Sequence, residues 1–219
     1  MAKTVKFSEC VAQYNAIMAD IKARRFKPIY LLAGDESFFI DALADALATT
    51  ILNEAERAFN QVVVYGLDSD AGAVVNLCRQ MPMMGSYQVI IVREAQQMSK
   101  LDALQHYTSS PQPTTILVVC YKNKEQGRGI DKRTAFYKSC AKNGEVFESV
   151  HPRDYEVDTW LTSYIASRGL TFSPKALAML KEHVGMDLSR MASEIDKLSV
   201  SLAEGDKLVS DVHIEQYIG

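Results

Sequence analysis

The strongest constraint on the fold is a regular alternation of short apolar runs with segments of helical periodicity, through the first two thirds of the chain. The runs are nearly continuous and rich in β-branched residues, which is typical of strands buried on both faces. They occupy residues 28–34, 61–66, 88–92, 114–120 and 145–148. Strands separated by helices predict right-handed crossovers and a parallel sheet flanked by helices. The predicted fold class is therefore α/β.

The strand pattern ends at His151 and Pro152, and only helical periodicity follows. A Ser or Asp stands at the predicted start of most of these helices, and Gly169 and Gly185 are placed to end two of them. The predicted helices cover residues 154–168, 173–184 and 187–202, with a fourth from about residue 210. We therefore expect two domains, an α/β domain over residues 1–150 and a small helical domain over residues 151–219.

Composition excludes several classes of protein. The 219 residues carry 24 Lys and Arg against 27 Asp and Glu, and 47% are hydrophobic, which is typical of a globular chain. A net charge of −3 argues against a protein that coats nucleic acid through bulk positive charge. No apolar run approaches the roughly 20 residues of a membrane span, and the amino-terminal residues lack a signal peptide's apolar stretch. We expect a cytoplasmic protein with no membrane partner.

The spacing of the cysteines argues against a metal site or a disulfide framework. No two of them have the C-x-x-C spacing, and none has a histidine nearby at ligand spacing. The four are Cys10, Cys78, Cys120 and Cys140. Cys78 lies in a helix-like segment and Cys120 in a strand-like run, so we expect both to be small buried hydrophobic residues.

One segment of the first domain is basic although the whole chain is not. Residues 122–142 hold seven Lys and Arg against two acidic residues. Such a run is commonly a solvated helix face. The alternative is contact with DNA phosphates or with a neighbouring subunit, for which Lys132, Arg133 and Lys138 are the candidates.

The loop after the first strand lacks the residues of an ATP site. A phosphate-binding loop has the pattern G-x-x-x-x-G-K-[ST], in which glycines and Lys hold the phosphates and Ser or Thr holds magnesium. Here Gly34 is followed by Asp35 and Glu36, with no second Gly and no Gly-Lys pair. The third strand ends in Arg93 and Glu94, so Arg93 stands where a magnesium-binding acid is expected. We therefore expect no catalytic residue, no metal and no cofactor.

Four segments in order resemble the delta subunit of the bacterial DNA polymerase III clamp loader. The first strand and its loop are similar to the opening of that family, and three later segments are similar to an apolar dipeptide before a strand, a basic helix and a helix of the lid domain. The segments are residues 28–41, 81–92, 131–138 and 185–198. The resemblance covers nearly the whole chain.

The resemblance implies an AAA+-type fold that does not hydrolyse ATP: a five-stranded parallel sheet flanked by helices, followed by a small helical lid domain. Delta subunits bind the ring-shaped sliding clamp, the beta subunit, and open it so that it can be loaded on primed DNA during replication. They work with ATP-binding clamp-loader subunits and delta prime. The chain would thus be no enzyme by itself, although it would be part of a DNA polymerase holoenzyme.

The resemblance also implies a clamp-binding site. Delta subunits grip the clamp through an apolar pair at the tip of a helix, and the matching pair here is Met83 and Met84, with Pro82 and Met81 beside it. Periodicity predicts a helix over residues 71–81 with Met81 on its inner face, and Pro82 then breaks the chain. Methionine is flexible and polarizable, which suits an apolar anchor in a partner's pocket. The alternative is that Met83 and Met84 cover the core beneath the third strand.

Two other functions remain open from the sequence. The chain could be a divergent AAA+ ATPase with an unusual loop, or an interaction module of another assembly. Delta subunits also have a third, helical collar domain, and the sequence ends where that domain would begin. We therefore expect a two-domain piece that lacks the collar.

Overall fold

The computed structural model describes residues 5–123, 129–202 and 206–218. The chain divides into two compact units, Met1–His151 and Pro152–Gly219. Among the described residues, no helix has both the length and the apolar character to cross a membrane.

The first unit is a parallel sheet with helices on both faces. Its strands are β1 (Ile29–Gly34), β2 (Gln61–Tyr65), β3 (Gln88–Arg93), β4 (Thr115–Lys122) and β5 (Glu145–Ser149). Its helices are α1 (Phe7–Lys22), α2 (Ser37–Thr50), α3 (Glu54–Asn60), α4 (Ala71–Cys78), α5 (Gln105–Thr108) and α6 (Ala135–Asn143). The strand order is β2-β3-β4-β1-β5, and every pairing is parallel. The predicted five-stranded parallel sheet is therefore confirmed.

The burial of the three inner strands explains why their sequences are continuous apolar runs. Strands β1, β3 and β4 are covered on both faces, so almost every residue in them is buried. One face packs against α4, α5 and α6, and Ile90 and Leu117 lie in this core beside Val74. The other face packs against α1 and α2, where the Phe39 ring meets Tyr14 at 5.1 Å between ring centres.

The second unit is mainly helical, as periodicity predicts. Its helices are α7 (Asp154–Ser167), α8 (Pro174–Val184), α9 (Leu188–Ser201) and α10 (Asp211–Tyr217). It also contains two strands that the sequence does not predict, β6 (Thr171–Phe172) and β7 (Leu208–Val209), which pair in parallel. Two residues are too few to produce a period of two, so no alternation marks them.

Helix α4 ends earlier than its apolar spacing predicts. The predicted helix over residues 71–81 stops at Cys78, and residues 81–87 form an irregular loop before β3. Met81 is therefore not on the inner face of a helix. It lies in the loop with 70% of its surface exposed.

Candidate functional site

The loop between α4 and β3 exposes three methionines. Met81, Met83 and Met84 are 70%, 61% and 102% exposed, whereas Pro82 is half-buried. We call residues 81–85 the tip loop. A cluster of large apolar side chains on a surface loop is typical of a site that binds another protein. Met83 and Met84 therefore do not cover the core beneath β3, which was the alternative left by the sequence.

Side chains from outside the helix fix the end of α4. The last carbonyl groups of a helix have no partner within it, so other donors must satisfy them. The Gln88 amide donates to the Leu77 carbonyl at 3.0 Å, and the Thr115 hydroxyl donates to the Cys78 carbonyl at 3.1 Å. Gln88 and Thr115 begin β3 and β4, so the base of the tip loop is attached to the sheet.

A buried asparagine holds the middle of the tip loop. Asn60, the last residue of α3, is 2% exposed. Its Oδ1 atom accepts a hydrogen bond from the Met83 N–H at 2.6 Å, and its Nδ2 group donates to the Met83 carbonyl at 2.8 Å. Sequence reasoning missed α3 and Asn60, although Asn53 and Glu56 have the spacing of a capping box and so mark the start of this helix.

The backbone at Met84 has an unusual conformation. Its φ angle is +55°, in the left-handed region that residues other than Gly seldom adopt. A left-handed conformation of a residue other than Gly costs free energy and persists only where the surrounding structure enforces it. Such residues cluster at functional sites. The conformation coincides here with a Met side chain in full contact with solvent.

Two of the candidate basic residues, Lys132 and Arg133, lie at the opposite end of the sheet from the tip loop. Lys132 pairs at 2.6 Å with Glu148, next to the carboxyl end of β5, whereas the tip loop precedes the amino end of β3. Arg133 forms a bidentate pair with Asp131 at 2.9 Å. Both residues precede α6, which begins at Ala135 and not at residue 131, where the predicted basic helix begins. Lys138 is exposed on α6. Two more basic residues of this segment, Lys124 and Arg128, are outside the described residues.

The amino end of α2 is occupied by a carboxylate of the chain itself. A helix amino end attracts anions, and P-loop proteins bind phosphate there. In this chain Glu36 is the N-cap of α2, is 5% exposed, and accepts a hydrogen bond from the Phe38 N–H at 3.1 Å. Its other oxygen lies 2.9 Å from His151 Nδ1. The position that would receive a phosphate therefore already holds a carboxyl group of the chain itself.

The turn before Glu36 is packed against β5. Gly34 has a φ of +143°, and a Cβ atom there would lie 1.9 Å from the Ser149 carbonyl oxygen. The Ser149 hydroxyl donates to the Glu36 carbonyl at 2.6 Å. These contacts hold the turn against the sheet instead of letting it form an open phosphate cradle.

Ion pairs fill the neighbouring ends of β3 and β4. Arg93 contacts Asp41 at 3.2 Å and Asp45 at 2.5 Å, and both acids lie on α2. Lys122 contacts Asp41 at 2.9 Å and Glu94 at 3.5 Å. Burial lowers the pKa of Lys122, but the hydrogen bond and charge of Asp41, with the charge of Glu94, outweigh it, and the pKa is raised. In the described part of the chain, no three His, Cys, Asp or Glu side chains are grouped to hold a metal.

Comparison with known proteins identifies the family. The model of the family "DNA polymerase III, delta subunit" matches residues 30–149. The DNA polymerase III subunit delta of Bacillus subtilis (strain 168) is 20% identical over 206 residues, which are 89% of this chain and 58% of that protein. The chain thus spans less than two thirds of this relative's length.

Two solved structures show the same fold. The Bacillus subtilis DNA clamp loader delta protein has a TM-score of 0.71 at 18% identity, over 94% of this chain and 62% of that one. A point mutant of Thermotoga maritima RuvB has a TM-score of 0.53 at 11% identity, over 98% of this chain and 69% of that one. The predicted AAA+-type fold is confirmed. Because the family model covers more than half of the chain, the protein belongs to the DNA polymerase III delta subunit family.

Proposed function

We propose that this protein is a non-catalytic clamp-loader subunit that binds the sliding clamp and opens its ring for loading on primed DNA. The observation that carries the proposal is the tip loop. It presents Met81, Met83 and Met84 to solvent, and the resemblance in sequence implies that delta subunits have their apolar clamp contact at this position. A few apolar anchors can supply most of the binding free energy of an interface.

The absence of catalysis is part of the proposal. Glu36 places a carboxylate at the amino end of α2, and Arg93 stands where an acid would hold magnesium. Both features oppose the binding of a magnesium nucleotide. The protein would act in the cytoplasm, with ATP-binding loader subunits and delta prime supplying the ATP-dependent steps.

The basic residues are the candidates for a second contact. Lys132 and Arg133 are already paired with acids of the same chain, which reduces the positive charge that they offer to a phosphate. Lys138 is exposed on α6 and adds to the charge there. We propose that this surface meets DNA or a neighbouring subunit in the assembled loader, so reversing these charges would weaken DNA binding in a salt-dependent way.

The first prediction concerns the two methionines at the centre of the tip loop. The double variant Met83→Ala, Met84→Ala should lose measurable clamp binding, a loss of at least about a hundredfold, because two apolar anchors are removed. The free energy of unfolding should change by less than about 0.5 kcal/mol, since both side chains are exposed. Calorimetric titration with purified clamp and urea unfolding measure the two quantities.

Met186→Ala is the matched control, because Met186 is an exposed methionine in the second unit. It should bind the clamp with the wild-type affinity. Ring opening is tested by release of clamp from circular DNA, which the wild-type chain should promote and the double variant should not. Unchanged clamp affinity in the double variant would contradict the assignment of the tip loop. Failure of the wild-type chain to bind the clamp would favour an interaction module of another assembly.

A further inference from the structure

Asn60 is a buried polar residue whose hydrogen bonds lead directly to the exposed tip loop. It ends α3, and its side chain crosses to a segment 23 residues later in the chain. With 2% of its surface exposed, it has exchanged water for specific partners. A buried amide needs such partners, because leaving its donor or acceptor unsatisfied is costly. Its position therefore depends on the conformation of the tip loop, and the loop depends on it.

The side-chain amide of Asn60 forms two hydrogen bonds with the backbone of Met83, one as acceptor and one as donor, as a residue of a neighbouring strand would. The Met83 N–H can only donate, so it must face the Oδ1 atom, and the Met83 carbonyl can only accept, so it must face Nδ2. Two hydrogen bonds to a single residue fix both the position and the orientation of its peptide groups. The Met83 side chain takes no part in these bonds, and the residue is 61% exposed.

Gly85 allows the tip loop to lie close to this amide. A Cβ atom at Gly85 would be 3.1 Å from the Asn60 Nδ2 atom and 3.2 Å from Glu56 Oε1. Those distances are tighter than ordinary van der Waals contact, so a side chain at this position would shift Asn60, Glu56 or the loop by a few tenths of an ångström. Between Met83 and Gly85 stands Met84, whose left-handed backbone requires a constraint from its surroundings. Asn60 supplies that constraint on one side, and the packing of Gly85 supplies it on the other.

We infer that Asn60 is the positioning residue of the clamp contact: it holds the tip loop in the conformation that presents Met83 and Met84. The inference rests on the proposed function. A loop that is already ordered loses little conformational freedom on binding, whereas a loose loop must be ordered at that moment and binds more weakly. Asn60 would thus raise clamp affinity without touching the clamp.

The test is a double-mutant cycle between Asn60→Ala and Met83→Ala, with clamp affinity as the measured quantity. Asn60→Ala should weaken clamp binding about tenfold in the wild-type background, and clearly less in the Met83→Ala background, because one of the two apolar side chains that it presents is then gone. Affinities are measured below the melting temperature of each variant. Hydrogen exchange at the Met83 amide should become faster in Asn60→Ala, since its acceptor is lost.

Two further variants keep the test decisive. Asn143→Ala is the matched control, because the Asn143 amide also bonds backbone carbonyls, at Thr108 and Ser109, neither of which belongs to the tip loop. It should not change clamp affinity. Gly85→Ala disturbs the same contact from the loop side, without removing a buried polar group, and should weaken clamp binding even if Asn60→Ala does not fold.

The outcomes separate this inference from the proposed function. If the double methionine variant loses the clamp while Asn60→Ala and Gly85→Ala both keep wild-type affinity, the positioning role is wrong and the clamp contact stands. Full additivity of Asn60→Ala and Met83→Ala would also overturn the positioning role. If the double methionine variant keeps its affinity, the clamp contact itself fails.

Discussion

At the scale of single residues, burial determines the chemistry of the four cysteines. All four are free and buried, and burial raises the pKa of Cys10 to about 11 and that of Cys78, Cys120 and Cys140 to about 12. Thiolate is the reactive form of cysteine, so these thiols are inert near neutral pH. The prediction that Cys78 and Cys120 are small buried hydrophobic residues is confirmed.

These pKa values predict that the fold loses stability in alkaline solution. The unfolded thiols ionise near their ordinary pKa of 9.0, whereas the native thiols hold their protons to about pH 11 or 12. Above about pH 9 the native state therefore binds more protons, and the free energy of unfolding falls as the pH rises. Urea unfolding at a series of pH values from about 8 to 11 should show this decline.

A cysteine variant provides the control for the alkaline effect. Cys78→Ala should be less stable at neutral pH, because it leaves a small cavity, but its stability should decline less steeply with pH. Native protein should also resist a thiol reagent at neutral pH and react fully in urea. A free energy of unfolding that stays level or rises above pH 9 would contradict the prediction.

At the scale of secondary-structure elements, the amino end of α2 and the carboxyl end of α4 have different roles in this chain. The amino end of α2 is closed by Glu36, which satisfies the end of the helix internally. The carboxyl end of α4 is satisfied by Gln88 and Thr115 from the sheet. The helix therefore ends at Cys78, and the chain after it forms an exposed loop. One helix end thus closes off a site that could have bound phosphate, while the other leads into a loop that exposes three methionines.

The closed end of α2 predicts that magnesium ATP does not stabilise the protein. A ligand at a hundredfold excess over its Kd raises the free energy of unfolding by about 2.7 kcal/mol, which a thermal melt detects easily. We expect no such shift with magnesium ATP, because the Glu36 side chain occupies the amino end of α2 and the loop offers no Lys to attract phosphate. A magnesium-dependent rise in melting temperature would favour the divergent ATPase instead.

The matched variant is Glu36→Ala, which removes the carboxylate from the amino end of α2. It should lower the free energy of unfolding by about 1 kcal/mol through loss of the helix cap. It should still fail to respond to magnesium ATP, because the residues that would hold the phosphates and the magnesium are absent from the loop.

At the scale of the whole molecule, each of the two units has its own core. The first unit packs helices on both faces of its sheet, and the second packs α7, α8 and α9 around residues such as Leu180 and Ile195. The units differ in size, and a larger unit buries a greater fraction of its surface. The first unit should therefore be the more stable of the two when each is made alone.

This division predicts that the first unit binds the clamp by itself. A chain of residues 1–151 contains the whole tip loop and Asn60, so its clamp affinity should equal that of the full chain. Titration with purified clamp measures this, and a cooperative thermal melt shows that the shorter chain is folded. A folded fragment with much weaker clamp binding would place part of the contact in the second unit.

Much of the fold follows from local pattern. Runs such as residues 88–92 predicted strands buried on both faces, because a continuous apolar run fits a covered parallel sheet. The helices of the second unit followed from periodicity and from caps such as Ser173 before Pro174. Short elements were missed: α3 is only seven residues long, and β6 and β7 have two residues each, so none of them shows a period.

The candidate site, like the fold, was predictable from the sequence only in part. The sequence by itself determined that an apolar pair, Met83 and Met84, stands between Pro82 and Gly85 and that the phosphate-binding residues are missing, since both depend on which side chains stand in order along the chain. Only the tertiary structure decided that α4 ends at Cys78, that Met81 is exposed, and that Asn60 holds the tip loop. The reason is physical: these features depend on hydrogen bonds between groups far apart in sequence, such as Asn60 with Met83 and Thr115 with Cys78. No local pattern encodes such bonds.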